Sequence, residues 1–290
     1  MTRLRKMMLE ELQRRNYSEN TIRHYIRTVE EFARRFNCSP DRLGPRHIRE
    51  YQAELFQKRK SAGTVMQRLA ALRFFYVKTL KKAWSIAETP YPKKAVHLPT
   101  ILSQEEVTQL IDAASTPFHR ILLMTLYATG VRRAELTHLK VTDIDSQRMV
   151  IHVQGGKGRK DRDVMLSPKL LDELRRHWQR LRRKPGVWLF PGQKDHRGDK
   201  PIDTKTVWHA CREATKRAGI KKPVHPHTLR HCFATHLLEQ GADLRNIQML
   251  LGHTDLEQTT IYLHVSERRL NATASPLDSL SLRSESPQEG

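Results

Sequence analysis

The sequence predicts a mainly α-helical chain of two domains with one small β-hairpin. Three observations carry this. Apolar residues recur at helical spacing through most of the 290 residues, prolines interrupt the pattern near residue 90, and one pair of β-rich runs flanks a glycine-rich turn.

The first eighty residues read as four helices, roughly 3–15, 19–36, 45–59 and 62–81, separated by "NYS", "NCSPDRLGP" and "KSAG". Ile22, Ile26, Val29 and Phe32 to Phe36 mark a helical apolar face, and Pro45 stands where a helix start tolerates proline. "ETPYPKKAVHLPT" then pushes the residues before its three prolines toward extended conformations, which makes it the linker. "SQEE" opens the next helical stretch with a capping box, and helices follow at 104–114, 118–128, 132–139, 167–183, 204–218, 227–239 and 243–251. "MVIHV" and "RDVML" flank "QGGKGRKD" as a hairpin. Beyond about Asn271 the chain is rich in Ser, Pro and Glu and predicts a loosely ordered tail.

A chain of this length buries a core without disulfides. Cys38, Cys211 and Cys232 are scattered, which points away from a disulfide framework and toward a reducing cytoplasm. No apolar run approaches the roughly 18–20 residues of a membrane span, and the first residues lack an apolar signal core. The 52 Lys and Arg outnumber the 31 Asp and Glu, leaving +21. Residues 1–82 hold 20 basic and 8 acidic side chains, so +12 of that excess resides there. A polyanion is the natural partner, because each neutralised phosphate releases counterions.

Several short patterns carry chemistry. "YATGVRRAELTHL" breaks a helix at Gly130 and restarts it at Arg132, with Glu135 one turn on to brace the guanidinium. Arginine at the positive end of a helix is poorly placed unless an anion meets it, although a solvated ion pair would read the same way. "GGKGRK" carries Lys157 on a turn that is not a P-loop, since no Gly-Lys-Ser/Thr follows, and Lys160 is a nearby rival. "HPHTLRHCFATHL" sets His227 and Arg230 three apart. His227 and His231 have a metal-ligand spacing, yet Arg230 on the same turn opposes a cation, so His225, His231 and His236 read as structural or exposed. In "LGHTDLEQTTIYLHV", Thr254 and Glu257 suggest a capping box. Leu256, Thr260 and Leu263 then share the inward face, which leaves Tyr262 on the flank, nine residues after His253.

Taken in order, TG-x-R-x-x-E, a hairpin lysine, H-x-x-R, L-G-H and a tyrosine nine residues on resemble the tyrosine recombinase (phage integrase) family, with the layout of Xer-like and mobile-element integrases. The resemblance covers all but the last fifteen or so residues. It implies a C-shaped two-domain clamp: a SAM-like core-binding domain at 1–83, a linker at 84–100, a mixed α/β catalytic domain at 101–272 and a tail at 273–290. It implies a catalytic set of Arg132, Lys157, His227, Arg230, His253 and Tyr262, with no metal and no other cofactor. The partners implied are double-stranded DNA and a homo- or hetero-tetramer on two duplexes, with no membrane and no small-molecule substrate.

The implied reaction is attack of Tyr262 on a phosphodiester, giving a 3′-phosphotyrosyl enzyme and a free 5′-hydroxyl. The residue types suit it. A phenol of pKa near 10 needs its proton taken, with His227 as the candidate base. Arg132 and Arg230 would fork onto the non-bridging oxygens, His253 would donate there, and Lys157 would protonate the departing oxygen. Competing readings are a type IB topoisomerase, a DNA-binding regulator without catalysis and, more distantly, a metal-dependent nuclease. Lys93 and Lys94 in the linker are expected to touch backbone phosphate.

Overall fold

The computed structural model describes residues 2–82, 90–93, 98–155, 161–181, 184–192, 200–253 and 255–264. Lys94, Lys157, Lys160, Thr254 and the expected tail lie outside the described residues. The chain forms two compact units, Met1–Val96 and His97–Gly290.

The first unit contains α1 (Arg3–Arg14), α2 (Glu19–Arg35), α3 (Pro45–Gln57) and α4 (Ala62–Phe74). Thr2, Ser18 and Ser61 cap α1, α2 and α4 by accepting backbone N–H groups that a helix start leaves unpaired. The predicted helix 62–81 changes character before its end: Phe75–Thr79 form a π turn, in which the Leu80 N–H reaches back five residues to the Phe75 carbonyl. Leu12, Phe32, Val65, Leu69, Leu72 and Phe75 fill the interior. Arg68 is drawn into it by Glu31, 2.6 Å away, and by the hydroxyl of Tyr51.

The second unit is built around α6 (Pro117–Thr129), whose residues Ile121 to Leu126 are all buried. A helix apolar on every side must be surrounded, and α8 (Pro168–Arg180), α9 (Thr204–Arg217) and α10 (Pro226–Glu239) pack against it. Helix α5 (Gln104–Asp112) starts at the expected capping box, with Ser103 and Glu106 each accepting the other's backbone N–H. The predicted hairpin is present as β2 (Val150–Val153) and β3 (Arg162–Met165), paired antiparallel with Val153 opposite Arg162. A short β1 (Ile144–Asp145) adds a third strand beside β2. Short α7 (Arg133–Thr137), α11 (Leu244–Leu251) and α12 (Glu257–Thr260) complete the described α-helices, and Ile261–His264 continue α12 as a 3₁₀ turn.

That last transition overturns the predicted placement of Tyr262. The helix begins at Glu257, and its continuation has about three residues per turn, so Tyr262 eclipses Thr259 instead of sitting on the flank. Thr259 is fully buried, Tyr262 is 1% exposed, and Leu256, predicted to face inward, is 38% exposed.

Candidate active site

The site forms where α6 and α11 end. Helix α6 stops because Gly130 takes a left-handed conformation (φ 62°), where a Cβ would stand 2.3 Å from the ring of Phe233 on α10. The chain then delivers Arg132 as the N-cap of α7. Glu135 accepts the Arg132 backbone N–H at 2.7 Å and its Nη1 at 2.8 Å, so the carboxylate caps the helix and holds the guanidinium together. This pair is largely buried and is no solvated surface bridge.

Helix α11 leaves its last carbonyls unpaired, as every helix does, and they carry the negative end of its dipole. Three arginines from three different elements take three consecutive ones. Arg162 Nε on β3 donates to the Leu250 carbonyl at 2.8 Å. Arg230 Nη2 on α10 donates to Leu251 at 2.6 Å, and Arg132 Nη2 donates to Gly252 at 3.2 Å. Arg230 also donates Nη1 to the Gly130 carbonyl at 2.6 Å, joining the ends of α6 and α11. These contacts fix the exit of the chain into His253.

His253 Nδ1 shares a hydrogen bond with Thr259 Oγ1 at 2.9 Å, and its ring stacks parallel to that of Tyr262, centroids 6.5 Å apart. The Tyr262 hydroxyl shares a hydrogen bond with His231 Nδ1 at 3.1 Å. His227 lies one turn before His231, exposed at the start of α10, and makes no hydrogen bond among the described residues. The structure therefore brings Arg132, Arg230, His253 and Tyr262 together directly. His227 joins them through the field of Arg230 and Arg132, and Lys157 lies outside the described residues.

Electrostatically the pocket is short of negative charge. Arg230 is only 3% exposed, and both of its described partners are neutral carbonyls. Burial, then the nearby Arg132, pull its pKa down to about 9, which still leaves it charged at neutral pH. Burial would raise the Glu135 carboxyl, but Arg162 and then Arg132 outweigh it and hold the group at about 2. Desolvation, reinforced by neighbouring positive or protonatable groups, lowers His231 and His253 to about 4. His227 is lowered as well, by packed neighbours that desolvate its ring and then by Arg230, although the residue as a whole keeps open surface. Both His231 and His253 are therefore neutral at pH 7. Burial raises the Tyr262 phenol, while Arg230 and Arg132 oppose that rise. The phenol is thus interior and inside the cationic field at once.

Two residues of this site were not foreseen. His231, read as structural or exposed, touches the tyrosine oxygen, and Arg162 drew no attention. Nothing in the local pattern singles out Arg162. His231 has a weak signal in its position one turn after His227 on α10, but its target could be known only once the phase of Tyr262 was fixed. His236 does what was expected of it: its ring is buried and structural, bonded to the Tyr127 hydroxyl and the Leu102 carbonyl.

Residues 100–269 match the phage integrase family, and residues 4–86 match the phage integrase N-terminal SAM-like domain. The chain belongs to the phage integrase family. A Sinorhizobium fredii protein named as an integrase/recombinase, y4qK, is 48% identical over 97% of this chain and 90% of its own length. The crystal structure of XerA recombinase aligns with a TM-score of 0.55 at 34% identity, covering 93% of this chain and 95% of that one. A λ integrase fragment bound to a core site aligns over 88% of this chain and 95% of its own, with a TM-score of 0.72 at 19% identity, a likeness of fold. As a phage integrase family member, the chain is a site-specific DNA recombinase, an enzyme that breaks and rejoins DNA strands. The topoisomerase and silent-regulator readings are not favoured by these matches. No helix among the described residues is long and apolar enough to cross a membrane.

Proposed function

We propose that Tyr262 is the nucleophile and that Arg132, Lys157, His227, Arg230 and His253 are the groups that serve it. The observation carrying this reading is a buried phenol bonded to a neutral imidazole and lying in the field of two guanidiniums, one of which has no described carboxylate partner. The phenolic oxygen forms a bond to phosphorus as the bond from phosphorus to the 5′-oxygen breaks, leaving a 3′-phosphotyrosyl link. Arg132 and Arg230 stabilise the charge that builds on the non-bridging oxygens, with His227 and His253 donating at the same phosphate. Lys157 gives its proton to the departing 5′-oxygen.

The base assignment changes with the geometry. His231, not His227, bonds the tyrosine oxygen, because the 3₁₀ turn rotates Tyr262 inward toward the second turn of α10. A phosphodiester entering the pocket adds negative charge that favours imidazolium, so His231 becomes a better proton acceptor when DNA is bound.

The domain division at 1–83, 84–100, 101–272 and 273–290 belongs to the same proposal and is supported by the two compact units. So do action as a tetramer on two duplexes, a cytoplasmic setting and a mobile-element role, the last supported by the integrase/recombinase name of the S. fredii relative.

The test is a nicked suicide duplex carrying the recombination site. Tyr262→Phe is expected to bind this DNA as the wild type does and to give no covalent band on a denaturing gel. A covalent adduct surviving the substitution would move the nucleophile elsewhere.

A further inference from the structure

Arg162 opens strand β3 and spends its guanidinium on two targets. Nε donates to the Leu250 carbonyl, while Nη1 and Nη2 fork onto Glu135 at 3.0 and 2.7 Å. Glu135 thereby receives four donors, two from Arg162 and two from Arg132. A carboxylate has about four lone-pair sites, so this one is saturated. The distribution matters for Arg132. Left alone with Glu135, a guanidinium closes into the bidentate pair that this geometry favours. With Arg162 holding both oxygens, Arg132 keeps one side-chain contact there and turns Nη2 to Gly252 instead. Gly252 is part of the fit: it is left-handed (φ 61°), and a Cβ on it would stand 2.9 Å from Arg162 Cδ.

We infer that Arg162 is a positioning residue: by saturating Glu135 it keeps the Arg132 fork available to the scissile phosphate, and it ties β3 to the end of α11 that presents His253. This rests on the reading of Arg132 as a phosphate clamp. Arg162 itself lies behind that clamp, on the side of Glu135. Its loss therefore leaves the phosphate contacts in place chemically and spoils their aim.

The test measures single-turnover formation of the covalent adduct on a nicked suicide duplex, with DNA affinity measured in parallel. Arg162→Gln is expected to slow adduct formation about 10²-fold, the scale of a small misplacement of a catalytic group, with affinity changed by less than about 2-fold. Arg162→Lys should recover little, since a point charge cannot fork. Adding Glu135→Gln to either variant is the decisive arm. If the ionised carboxylate captures Arg132 once Arg162 is gone, neutralising it releases the fork, and the double variant should react at least about 10-fold faster than the single one, a fraction of the lost aim. A purely structural role predicts the opposite, a further loss. Wild-type rates in Arg162→Gln, or a double variant slower than its parent, would overturn the inference. Should Arg162→Gln fail to fold, Arg162→Lys with and without Glu135→Gln makes the same comparison. Arg132→Lys separates the two levels: normal cleavage by it removes the phosphate-clamp reading, whereas an inactive Arg132→Lys beside a fully active Arg162→Gln removes only this inference.

Discussion

Glu11 in the helical N-terminal unit and Glu135 in the catalytic pocket are both acids surrounded by more bases than they can neutralise. Glu11 has Arg14 and Arg15 within 2.9 Å and Lys81 at 3.9 Å, and those cations reach into solvent. Glu135 meets Arg132 and Arg162 with little of any partner exposed. Around Glu11, water screens each pair and long side chains lose freedom to make it, so the cluster mainly sets surface charge. Around Glu135, low exposure turns the same excess into fixed donors at fixed distances. The further difference is Arg230, whose described hydrogen-bond partners are two carbonyls that carry no charge. One region presents its cations to solvent, and the other holds them at fixed positions, as the proposed grip on a phosphate requires.

The contrast can be broken at several points. The largest effect is expected for Arg230→Lys, which keeps the charge but cannot bridge the Gly130 and Leu251 carbonyls while gripping phosphate. Single-turnover cleavage should fall by about 10²–10³-fold, the usual loss for one such donor. Near-wild-type cleavage would mean that the pocket tolerates a loosely held charge, as the N-terminal surface does.

Acid should separate the regions next. The folded-state pKa of Glu135 is depressed from 4.5 to about 2, so its contribution is complete above about pH 4.5 and is lost as pH falls toward 2. The full depression corresponds to about 3 kcal/mol. Urea unfolding of wild type and Glu135→Gln should therefore differ most near neutrality, with the gap closing on acidification. A gap independent of pH would mean that the carboxylate's charge is not what stabilises the site. His231 and His253, half-buried and lowered from 6.5 to about 4, weaken the fold in the same direction as pH drops from 6.5 toward 4, because the unfolded chain binds the protons first.

The smallest effect is expected at the surface. Glu11→Gln should leave the Tm unchanged at physiological salt, as scanning calorimetry would show. A clear drop would make the N-terminal cluster a built network and erase the contrast.

Much of this was legible before the fold was known because it is short-range. The Ser103–Glu106 capping box, the glycine stop at Gly130, the β-rich runs around the hairpin and the apolar periodicity of α2 all act within a few residues of chain. The order of Arg132, His227, Arg230, His253 and Tyr262 is equally a property of the linear sequence. What failed was phase. Whether Tyr262 points inward depends on the α helix tightening to a 3₁₀ turn after Thr260, and wheel geometry at 3.6 residues per turn places it on the wrong side.

The sequence by itself determined the helices, the hairpin and the excess of cations, since backbone sterics, nearest neighbours and composition decide these locally. Only the tertiary structure decided which arginine meets which carbonyl of α11, across separations of 88, 21 and 120 residues, and which histidine meets the phenol. Unpaired groups at a helix end need a partner but do not specify one. The partner is whatever packing brings within about 3 Å, and no local pattern encodes that distance.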